Sequence, residues 1–335
     1  MSIKVMVLDS STLMRKIMSH ILRDIEGVEV FKTVSTETEL FTELRKELPD
    51  LITIDIQDSS SVGLNLLSKL THLYNVPVLL ICSSTDGKET TLKALELGAL
   101  DFISRPKDIN KDWTLFSEAL EKKIKAHFSV IKLAVKQVEQ PIKVQQTFAS
   151  PVDAIVIGAS TGGPKAIIEV IKELPDKVGI PIFIVQHMPK GFTASFAKRL
   201  DTLSALKIVE AEDGERIYND IVYLAPGGKH MVIENNKIRL TEDEKIHGVR
   251  PAVDYLFESA AEKYQNHLVG VVLTGMGNDG LKGSMAIKKA GGYMITQDQE
   301  TCVIYGMPKN VEEKGFSDKV ARLDEIGGIL KHMIG

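Results

Sequence analysis

The chain has 335 residues, of which 44% are hydrophobic and 26% charged, and this balance excludes a disordered, collagen-like or coiled-coil protein. The formal net charge of -4 gives no electrostatic basis for wholesale binding of nucleic acid. The apolar runs are far shorter than the roughly 20 residues that cross a bilayer, and the beginning of the chain lacks the shape of a signal peptide. With only two cysteines, the composition predicts a cytoplasmic protein of about two domains, without membrane insertion.

The first 131 residues alternate short β-branched runs with helical patterns, which is typical of a parallel α/β sheet. The pattern predicts strands at residues 4–8, 28–34, 51–55, 76–83 and 101–104, and a closing amphipathic helix near residues 113–131. Polar residues stand where four of these strands end, namely Asp9, Asp55, Ser83 and Arg105. We therefore predict a (βα)5 domain over residues 1–131, with these side chains at one edge of its sheet.

Residues 132–151 change to Gln and Lys mixed with scattered Val and show no sustained period, which predicts a linker. A second α/β pattern follows over residues 152–335, with strands predicted at residues 154–157, 180–185, 221–224, 268–273 and 293–296. We predict a doubly wound, Rossmann-like parallel sheet there. No CxxC, HExxH or EF-hand spacing occurs, so the sequence gives no sign of a structural metal.

A glycine-rich turn around Ser160 joins the first strand of the second domain to a helical pattern. Gly158 and Gly162 flank Ser160 in the G-x-S-x-G spacing, which lets the chain turn sharply and exposes a hydroxyl at the carboxyl edge of a sheet. The alternative is a phosphate-binding turn at the helix N-terminus. The nucleotide interpretation lacks the G-x-G-x-x-G order, the P-loop Gly-Lys-Ser/Thr and an acidic residue after the next strand.

Two further candidates follow other strands of the same sheet. His187 comes directly after an apolar run, and Asp279 lies in a Gly-rich loop after another. Alone, the histidine is typical of a structural residue, and the Asn-Asp-Gly around Asp279 is typical of a turn or helix cap. Together with Ser160 they share the rim on which doubly wound sheets bind ligands, and a hydroxyl needs such a base to become a nucleophile.

These parts predict ester or amide hydrolysis. Ser160 attacks an acyl carbon, His187 accepts and returns the proton, and Asp279 orients the imidazole. Backbone amides after Ser160 and around Met276 are candidate donors to the oxyanion. The chain order Ser, His, Asp differs from that of the α/β-hydrolases, so that fold is disfavoured.

At these residues the sequence resembles the chemotaxis receptor methylesterases, the CheB family of protein-glutamate methylesterases that also deamidate glutamine. The resemblance covers essentially the whole chain and assigns the catalytic roles to Ser160, His187 and Asp279. It also implies that the Met276 amide donates to the oxyanion and that Thr161 lies beside the nucleophile, while Asp254 is a rival acid partner for His187. The matching segments are residues 157–163 (IGASTGG), 186–189 (QHMP), 191–193 (GFT), 195–197 (SFA), 223–228 (YLAPGG), 250–251 (RP), 253–254 (VD), 274–280 (TGMGNDG) and 305–308 (YGMP), with His230.

The first domain looks like a response-regulator receiver domain. The resemblance implies that Asp55 accepts a phosphoryl group, that Ser83 contacts its oxygens, and that Mg²⁺ binds at Asp9 and Asp55. Two receiver-pocket positions depart from the family pattern: Ser10 replaces the second acidic residue and Arg105 replaces a lysine. Loss of a carboxylate predicts weaker binding of Mg²⁺, and a guanidinium does not reproduce the contact of an ammonium. Asp55 is thus either a phosphoacceptor or an unmodified polar residue at the sheet edge.

The resulting expectation is a carboxylic ester hydrolase that needs no cofactor for catalysis and is restrained by its receiver domain. By resemblance, its substrates are glutamate γ-methyl esters and glutamines of methyl-accepting chemoreceptors, and a chemotaxis histidine kinase is a further partner. The alternative is a non-catalytic regulatory or scaffold protein of a chemotaxis-like pathway. A receiver fused to a DNA-binding module is disfavoured, because the second half carries no basic helix-turn-helix.

Overall fold

The computed structural model of the protein describes residues 2–56, 61–82, 87–105, 109–134 and 150–334. The chain divides into two compact units, Met1–Lys136 and Gln137–Gly335. Each unit has the α/β fold with a parallel sheet that the alternating pattern predicts. The predicted domain limits at residues 131 and 152 stay predictions. Ser83 and most of the predicted linker lie outside the described residues.

The described part of the first unit forms a five-stranded parallel sheet in the order β2-β1-β3-β4-β5. The central strands are aliphatic and buried because helices cover both faces of such a sheet. Predicted and observed strands agree within two residues. The elements are β1 (Ile3–Leu8), α1 (Thr12–Asp24), β2 (Val28–Val34), α2 (Glu37–Leu44), β3 (Leu51–Ile56), α3 (Ser61–Lys69) with a π-helical turn (Leu70–Tyr74), β4 (Val78–Cys82), α4 (Lys88–Glu96), β5 (Asp101–Ser104) and α5 (Ile109–Ala134).

The second unit continues with further alternating strands and helices, and includes one antiparallel hairpin. Its elements are β6 (Ala154–Ala159), α6 (Gly163–Lys172), β7 (Ile182–Gln186), α7 (Phe192–Leu203), β8 (Lys207–Glu210), β9 (Ile221–Leu224), β10 (His230–Glu234), β11 (Lys237–Thr241), α8 (Val253–Tyr264), a 3-10 turn (Gln265–His267), β12 (Leu268–Val272), α9 (Leu281–Lys289), β13 (Tyr293–Gln297), α10 (Met307–Glu313), β14 (Lys319–Ala321) and α11 (Leu323–Met333).

Seven strands within the described residues form the main sheet of this unit, in the order β14-β13-β12-β6-β7-β9-β8, and all of its strand pairs are parallel. The first strand of this unit, β6, lies in the middle of the sheet. The next strands, β7 to β9, lie on one side of β6, and the later strands, β12 to β14, lie on the other side. The strand order therefore reverses between β6 and β12. Doubly wound sheets bind ligands at the carboxyl ends of the strands beside such a reversal. Ser160, His187 and Asp279 follow β6, β7 and β12 and therefore lie at that edge.

The sequence pattern did not predict the hairpin of β10 and β11 or the short strands β8 and β14. The hairpin has a two-residue turn, Asn235–Asn236, in which both residues have positive φ angles, 50° and 60°. Asparagine tolerates this backbone conformation, which is the one that tight hairpins require. The pair Asn235–Asn236 is therefore a sequence signal from which the hairpin could have been predicted. None of the helices in the described ranges is long and apolar enough to cross a membrane.

Candidate active site

The turn that carries Ser160 is tight because glycines occupy positions where a side chain has no room. A Cβ on Gly158 would lie 2.4 Å from Val253 Cγ1, and one on Gly162 would lie 2.6 Å from Val303 Cβ. Gly162 also has a φ of 79°, which favours glycine. The Gly163 amide donates to the Ser160 carbonyl at 2.8 Å, so the chain reverses within one turn at the start of α6.

His187 is placed beside Ser160 by strand pairing. Ala159 and Gln186, the last residues of β6 and β7, are register partners, and the His187 amide donates to the Ala159 carbonyl at 3.1 Å. The Gln186 side-chain amide also donates to the Ser160 carbonyl at 2.8 Å. Ser160 and His187 therefore occupy adjacent positions beyond the ends of neighbouring strands, which lie about 4.8 Å apart.

Asp279 contacts His187 directly. Its Oδ2 lies 2.7 Å from His187 Nε2 and also accepts the Val253 amide at 2.7 Å. Its Oδ1 accepts the amides of Asp254 and Gly280, each at 3.0 Å. Burial by itself raises the pKa of Asp279, but the hydrogen bond and charge of His187, with the amides of Val253 and Asp254, outweigh it and lower the pKa below its ordinary value. Asp279 is therefore an ionised, fully hydrogen-bonded carboxylate.

An ionised carboxylate only accepts hydrogen bonds, so Asp279 requires the proton of His187 to sit on Nε2. This tautomer leaves the Nδ1 lone pair of His187 to act as the base. In the familiar Ser-His-Asp triad, Nε2 faces the serine and Nδ1 faces the aspartate. Here the two ring nitrogens exchange these positions, because Nε2 faces Asp279. Among the described residues, the Ser160 hydroxyl makes no hydrogen bond to His187, and such catalytic bonds often form only when substrate binds.

The loop that carries Met276 is held from both sides. The Met307 amide donates to the Gly275 carbonyl at 2.8 Å, and the Asn310 side chain donates to the Gly277 carbonyl at 2.8 Å. These two hydrogen bonds hold the residues on either side of Met276. The loop also contacts the Ser160 turn directly, because the Ser160 amide donates to the Thr274 carbonyl at 3.0 Å. The Met276 amide is therefore held beside the Ser160 turn. The geometry is compatible with an oxyanion donor at Met276.

Thr161 is buried next to the nucleophile and is tied to the same loop. Its carbonyl accepts the Thr274 hydroxyl at 3.0 Å, while Thr274 Oγ1 accepts the Ile304 amide at 2.9 Å. The Thr274 amide in turn donates to the Gln297 side chain at 2.8 Å. One threonine therefore joins three segments of the carboxyl edge, which limits their independent movement.

Asp254, the rival acid, has a different environment. Its Oδ1 accepts the Gly283 amide at 2.8 Å, and the residue is 1% exposed in the first turn of α8. Burial raises the pKa of Asp254 to about 7, and the nearby Asp279 charge adds to this rise. In the described structure the imidazole of His187 is bonded to Asp279 and not to Asp254.

The receiver residues of the first unit also meet at one edge. Arg105 Nη2 forms an ion pair with Asp55 Oδ2 and lies 3.4 Å from Asp9 Oδ2. Ser10 is exposed, and its carbonyl accepts a hydrogen bond from Arg15 at 3.0 Å. The guanidinium of Arg105 therefore contacts both carboxylates on which the predicted metal site depends.

These residues do not fit Mg²⁺, which requires near-octahedral oxygen ligands at about 2.1 Å. The cationic nitrogen of Arg105 already bridges Asp9 and Asp55, and Asp9 Oδ1 accepts the Ser11 amide at 2.7 Å. Burial raises the pKa of Asp9; the Ser11 amide opposes this rise, Asp55 adds to it, and Arg105 again opposes it. No group of three or more His, Cys, Asp or Glu residues able to hold a metal occurs within the described ranges.

The residues that hold Ser160 and Asp279 in place were not predicted from the sequence. Gln186 and the amides of Val253 and Asp254 contact Ser160 and Asp279 in the structure. Gln186 ends a buried strand, and an amide side chain there is a detectable signal, because a buried polar group needs a partner. The contacts of Val253 and Asp254 are made by backbone atoms, so their side chains give no signal.

Comparisons with known proteins agree with this geometry. The family model of the CheB methylesterase matches residues 155–330, and that of the response regulator receiver domain matches residues 5–112. The protein-glutamate methylesterase/protein-glutamine glutaminase of Clostridium acetobutylicum is 40% identical over 333 residues, which are 97% of this chain and 95% of that protein. The protein of the same description from Pyrococcus horikoshii is 38% identical over 97% of this chain and 91% of its own.

A solved structure extends the similarity to the fold. The crystal structure of the Thermotoga maritima CheB methylesterase catalytic domain is 45% identical, with a TM-score of 0.53, and the match covers 55% of this chain and 100% of that one. The matches to the family models and to the full-length relatives together establish the family of this chain. This chain belongs to the CheB methylesterase family and carries a response regulator receiver domain before its methylesterase domain.

Proposed function

We propose that this protein is a protein-glutamate methylesterase and protein-glutamine glutaminase that uses Ser160, His187 and Asp279. The observation that carries the proposal is the 2.7 Å contact between His187 Nε2 and an ionised Asp279, next to a serine on a tight glycine-rich turn. This constellation is the one that acyl-transfer chemistry requires. The names of the relatives supply the substrate class, a glutamyl side chain of a protein.

In the proposed mechanism, Ser160 Oγ attacks the carbonyl carbon of the γ-methyl ester as His187 Nδ1 takes its proton. The carbonyl oxygen becomes an oxyanion and accepts a hydrogen bond from the Met276 amide. Asp279 stabilises the imidazolium that forms and keeps the proton of Nε2 in place. The tetrahedral intermediate then collapses, the C–O bond to the methoxy group breaks, and the imidazolium protonates the departing methoxy oxygen, which leaves as methanol.

Water completes the reaction by the same steps. His187 takes a proton from a water molecule as the water oxygen attacks the carbonyl carbon of the acyl-enzyme. The second tetrahedral intermediate then collapses, and the Ser160 oxygen leaves with that proton. With a glutamine substrate the imidazolium protonates the amide nitrogen as the C–N bond breaks, and the group leaves as ammonia. Both substrates therefore yield a glutamate side chain, and neither reaction requires a cofactor.

We further propose that the substrate proteins are methyl-accepting chemoreceptors and that a chemotaxis histidine kinase is a further partner, in the cytoplasm. The support for this step is family membership and the presence of a receiver domain in the same chain. Mg²⁺ and phosphorylation at Asp55 are not part of the proposal, because Arg105 occupies the space between the carboxylates.

Methanol release from methylated receptor membranes tests the activity. Ser160→Ala is expected to lower kcat on the order of 10⁶-fold, since the nucleophile is lost. The matched control is Ser204→Ala, a serine at the end of α7 whose hydroxyl accepts the Leu206 amide at 3.0 Å, and its rate should equal that of the parent. Equal rates for Ser160→Ala and the parent would instead favour a regulatory or scaffold protein without catalysis.

Restraint by the receiver domain is a separate part of the proposal. The Thermotoga maritima domain was crystallised as a catalytic domain, which supports work on the corresponding fragment of this chain. The rate of the fragment 152–335 is expected to exceed that of the full chain on the same membranes. If the two rates are the same, the receiver domain does not restrain the enzyme under those conditions.

A further inference from the structure

Three consecutive backbone amides at the start of α8 are accepted by side chains from elsewhere in the fold. We name the amides of Ala252, Val253 and Asp254 the α8 amide triplet. The first donates to His230 Nδ1 at 3.1 Å, and the second and third donate to Asp279 at 2.7 and 3.0 Å. Ala252 is the N-cap residue and has no side chain to cap the helix. The start of α8 is therefore fixed jointly by the imidazole of His230 and by the catalytic carboxylate.

The hydrogen bonds of His230 define its protonation state. The Ala252 amide can only donate, so Nδ1 accepts, and the Glu244 carbonyl at 3.1 Å can only accept, so Nε2 carries the proton. The residue is fully buried at the first position of β10, and its ring stacks on Tyr255 with centroids 4.0 Å apart. The ring is held in one orientation and one neutral tautomer.

We propose that His230 is a positioning residue for the reaction, because by holding the Ala252 amide it places the two following amides that hold Asp279 against His187. The inference rests on the proposed function and adds a residue to it. His230 touches no reacting atom. It acts through a chain of hydrogen bonds from Ala252 through the rest of the α8 amide triplet to Asp279.

The geometry explains why a small displacement is costly. Val253 and His187 donate to the same oxygen of Asp279, so a shift of α8 moves that oxygen relative to the imidazole. A displacement of about 1 Å at a catalytic group is enough to cost on the order of 100-fold in rate. Without an acceptor at position 230, the buried Ala252 amide lacks a partner, and such a group moves toward another acceptor or toward water.

Burial and hydrogen-bond geometry favour the accepting form of His230. A proton on Nδ1 would face the Ala252 N–H, donor against donor. Burial lowers the pKa of His230; the Glu244 carbonyl opposes this, the Arg250 charge reinforces it, and the carboxylates of Asp243 and Asp279 oppose it. The hydrogen bonds and the lowered pKa both favour a neutral imidazole whose Nδ1 accepts.

Two amide substitutions separate this role from a general structural one. His230→Asn places an acceptor oxygen where Nδ1 stands, whereas His230→Gln places its amide group near Nε2, toward Glu244. Both variants are of similar polarity and size. The full chain is assayed for methanol release and, separately, for the rate at which a fluorophosphonate probe labels Ser160, a readout of the activated serine that needs no receptor. His267→Gln, at the end of the 3-10 turn before β12 and paired with Asp153, is the matched control.

We expect His230→Gln to lower kcat by about 10- to 100-fold with KM within about twofold, and to slow labelling of Ser160 to the same extent. The kcat and labelling rate of His230→Asn should lie within about threefold of those of the parent, although each variant loses one of the two hydrogen bonds of the imidazole. If His230→Gln does not fold, His230→Leu replaces it with the same expected loss. Equal rates for the Asn and Gln variants at equal Tm would overturn the inference. Failure of the proposed function differs from this result, because the parent itself would then label no faster than Ser160→Ala.

Discussion

Replacing the buried carboxylate by its amide, Asp279→Asn, tests the triad most directly. The carboxylate accepts four N–H groups, two on each oxygen, from His187, Val253, Asp254 and Gly280. The amide of asparagine has only one accepting oxygen, so its NH2 group must face two donors in either orientation. The substitution therefore conserves shape but reverses the hydrogen-bond polarity of half of the site.

The two orientations of the amide have different consequences. If the NH2 group faces His187, the ring must accept at Nε2, and the proton moves to Nδ1, which then cannot act as the base. In this orientation only the Val253 amide loses its acceptor, at a cost of about 1–3 kcal/mol. If the oxygen faces His187, the amides of Asp254 and Gly280 lose their acceptor, at a cost of about 1–3 kcal/mol for each buried donor. Removing the charge at the start of α8 adds on the order of 1 kcal/mol. The wrong-tautomer variant of another serine hydrolase triad loses about 10⁴-fold in kcat.

We therefore expect Asp279→Asn to lower kcat by about 10³- to 10⁴-fold and to lower the free energy of unfolding by about 2–4 kcal/mol. Methanol release from methylated receptor membranes measures the first, and urea unfolding followed by circular dichroism measures the second. A variant that unfolds like the parent and retains more than a tenth of its kcat would refute the assignment of Asp279 as the partner of His187.

Three more outcomes follow from the same structure. Asp254→Asn should raise the free energy of unfolding by up to about 4 kcal/mol at pH 8 but little near pH 4, as measured by urea titration at both pH values. The reason is that the unfolded carboxyl ionises near 3.8 while the folded one keeps its proton up to about 7, so the parent loses stability as the pH rises between these values. Gly275→Ala should lower kcat at least tenfold, since a Cβ there would lie 2.7 Å from Ser160 Cβ and 2.4 Å from Met307 Sδ; comparable kcat in parent and variant would contradict this. Calorimetric titration with Mg²⁺ and beryllofluoride should show no saturable binding to the parent, and the double substitution Ser10→Asp with Arg105→Lys should restore it; binding to the parent that Asp55→Asn abolishes would show that Arg105 can be displaced.

The location of the three residues proposed to be catalytic could be predicted from the sequence because each follows a buried strand of one parallel sheet. Strand ends meet at the same edge whatever the loops between them, so the positions of Ser160, His187 and Asp279 depend only on recognising β6, β7 and β12. The turn at Ser160 added a second signal through its glycines. Continuous apolar strands that are buried along their whole length give this information reliably, because their burial does not depend on fine side-chain packing.

The supporting contacts could not be predicted in the same way. His230 and Asp279 bind neighbouring amides of α8, although they stand 22 residues before Ala252 and 25 residues after Asp254. The contact of His230 depends on how the hairpin of β10 and β11 returns to the sheet, and the short, partly exposed strands of that hairpin carry a weak apolar pattern. The contacts at the sheet edge of the receiver domain could not be predicted either. The sequence showed that Arg105 replaces a lysine, but only the coordinates show that its guanidinium contacts both Asp9 and Asp55.

The position of Asp279 couples the stability of α8 to catalysis. A helix N-terminus normally has a Ser, Thr, Asp or Asn at its N-cap, and an alanine there costs about 1 kcal/mol. Here Ala252 holds that position, and the carboxylate of Asp279 accepts the two amides that follow it. The positive end of the helix dipole in turn favours the ionised form of Asp279, which is the form that fixes the tautomer of His187. The same hydrogen bonds therefore begin the helix and orient the base, so a change that weakens one of these functions is expected to weaken the other.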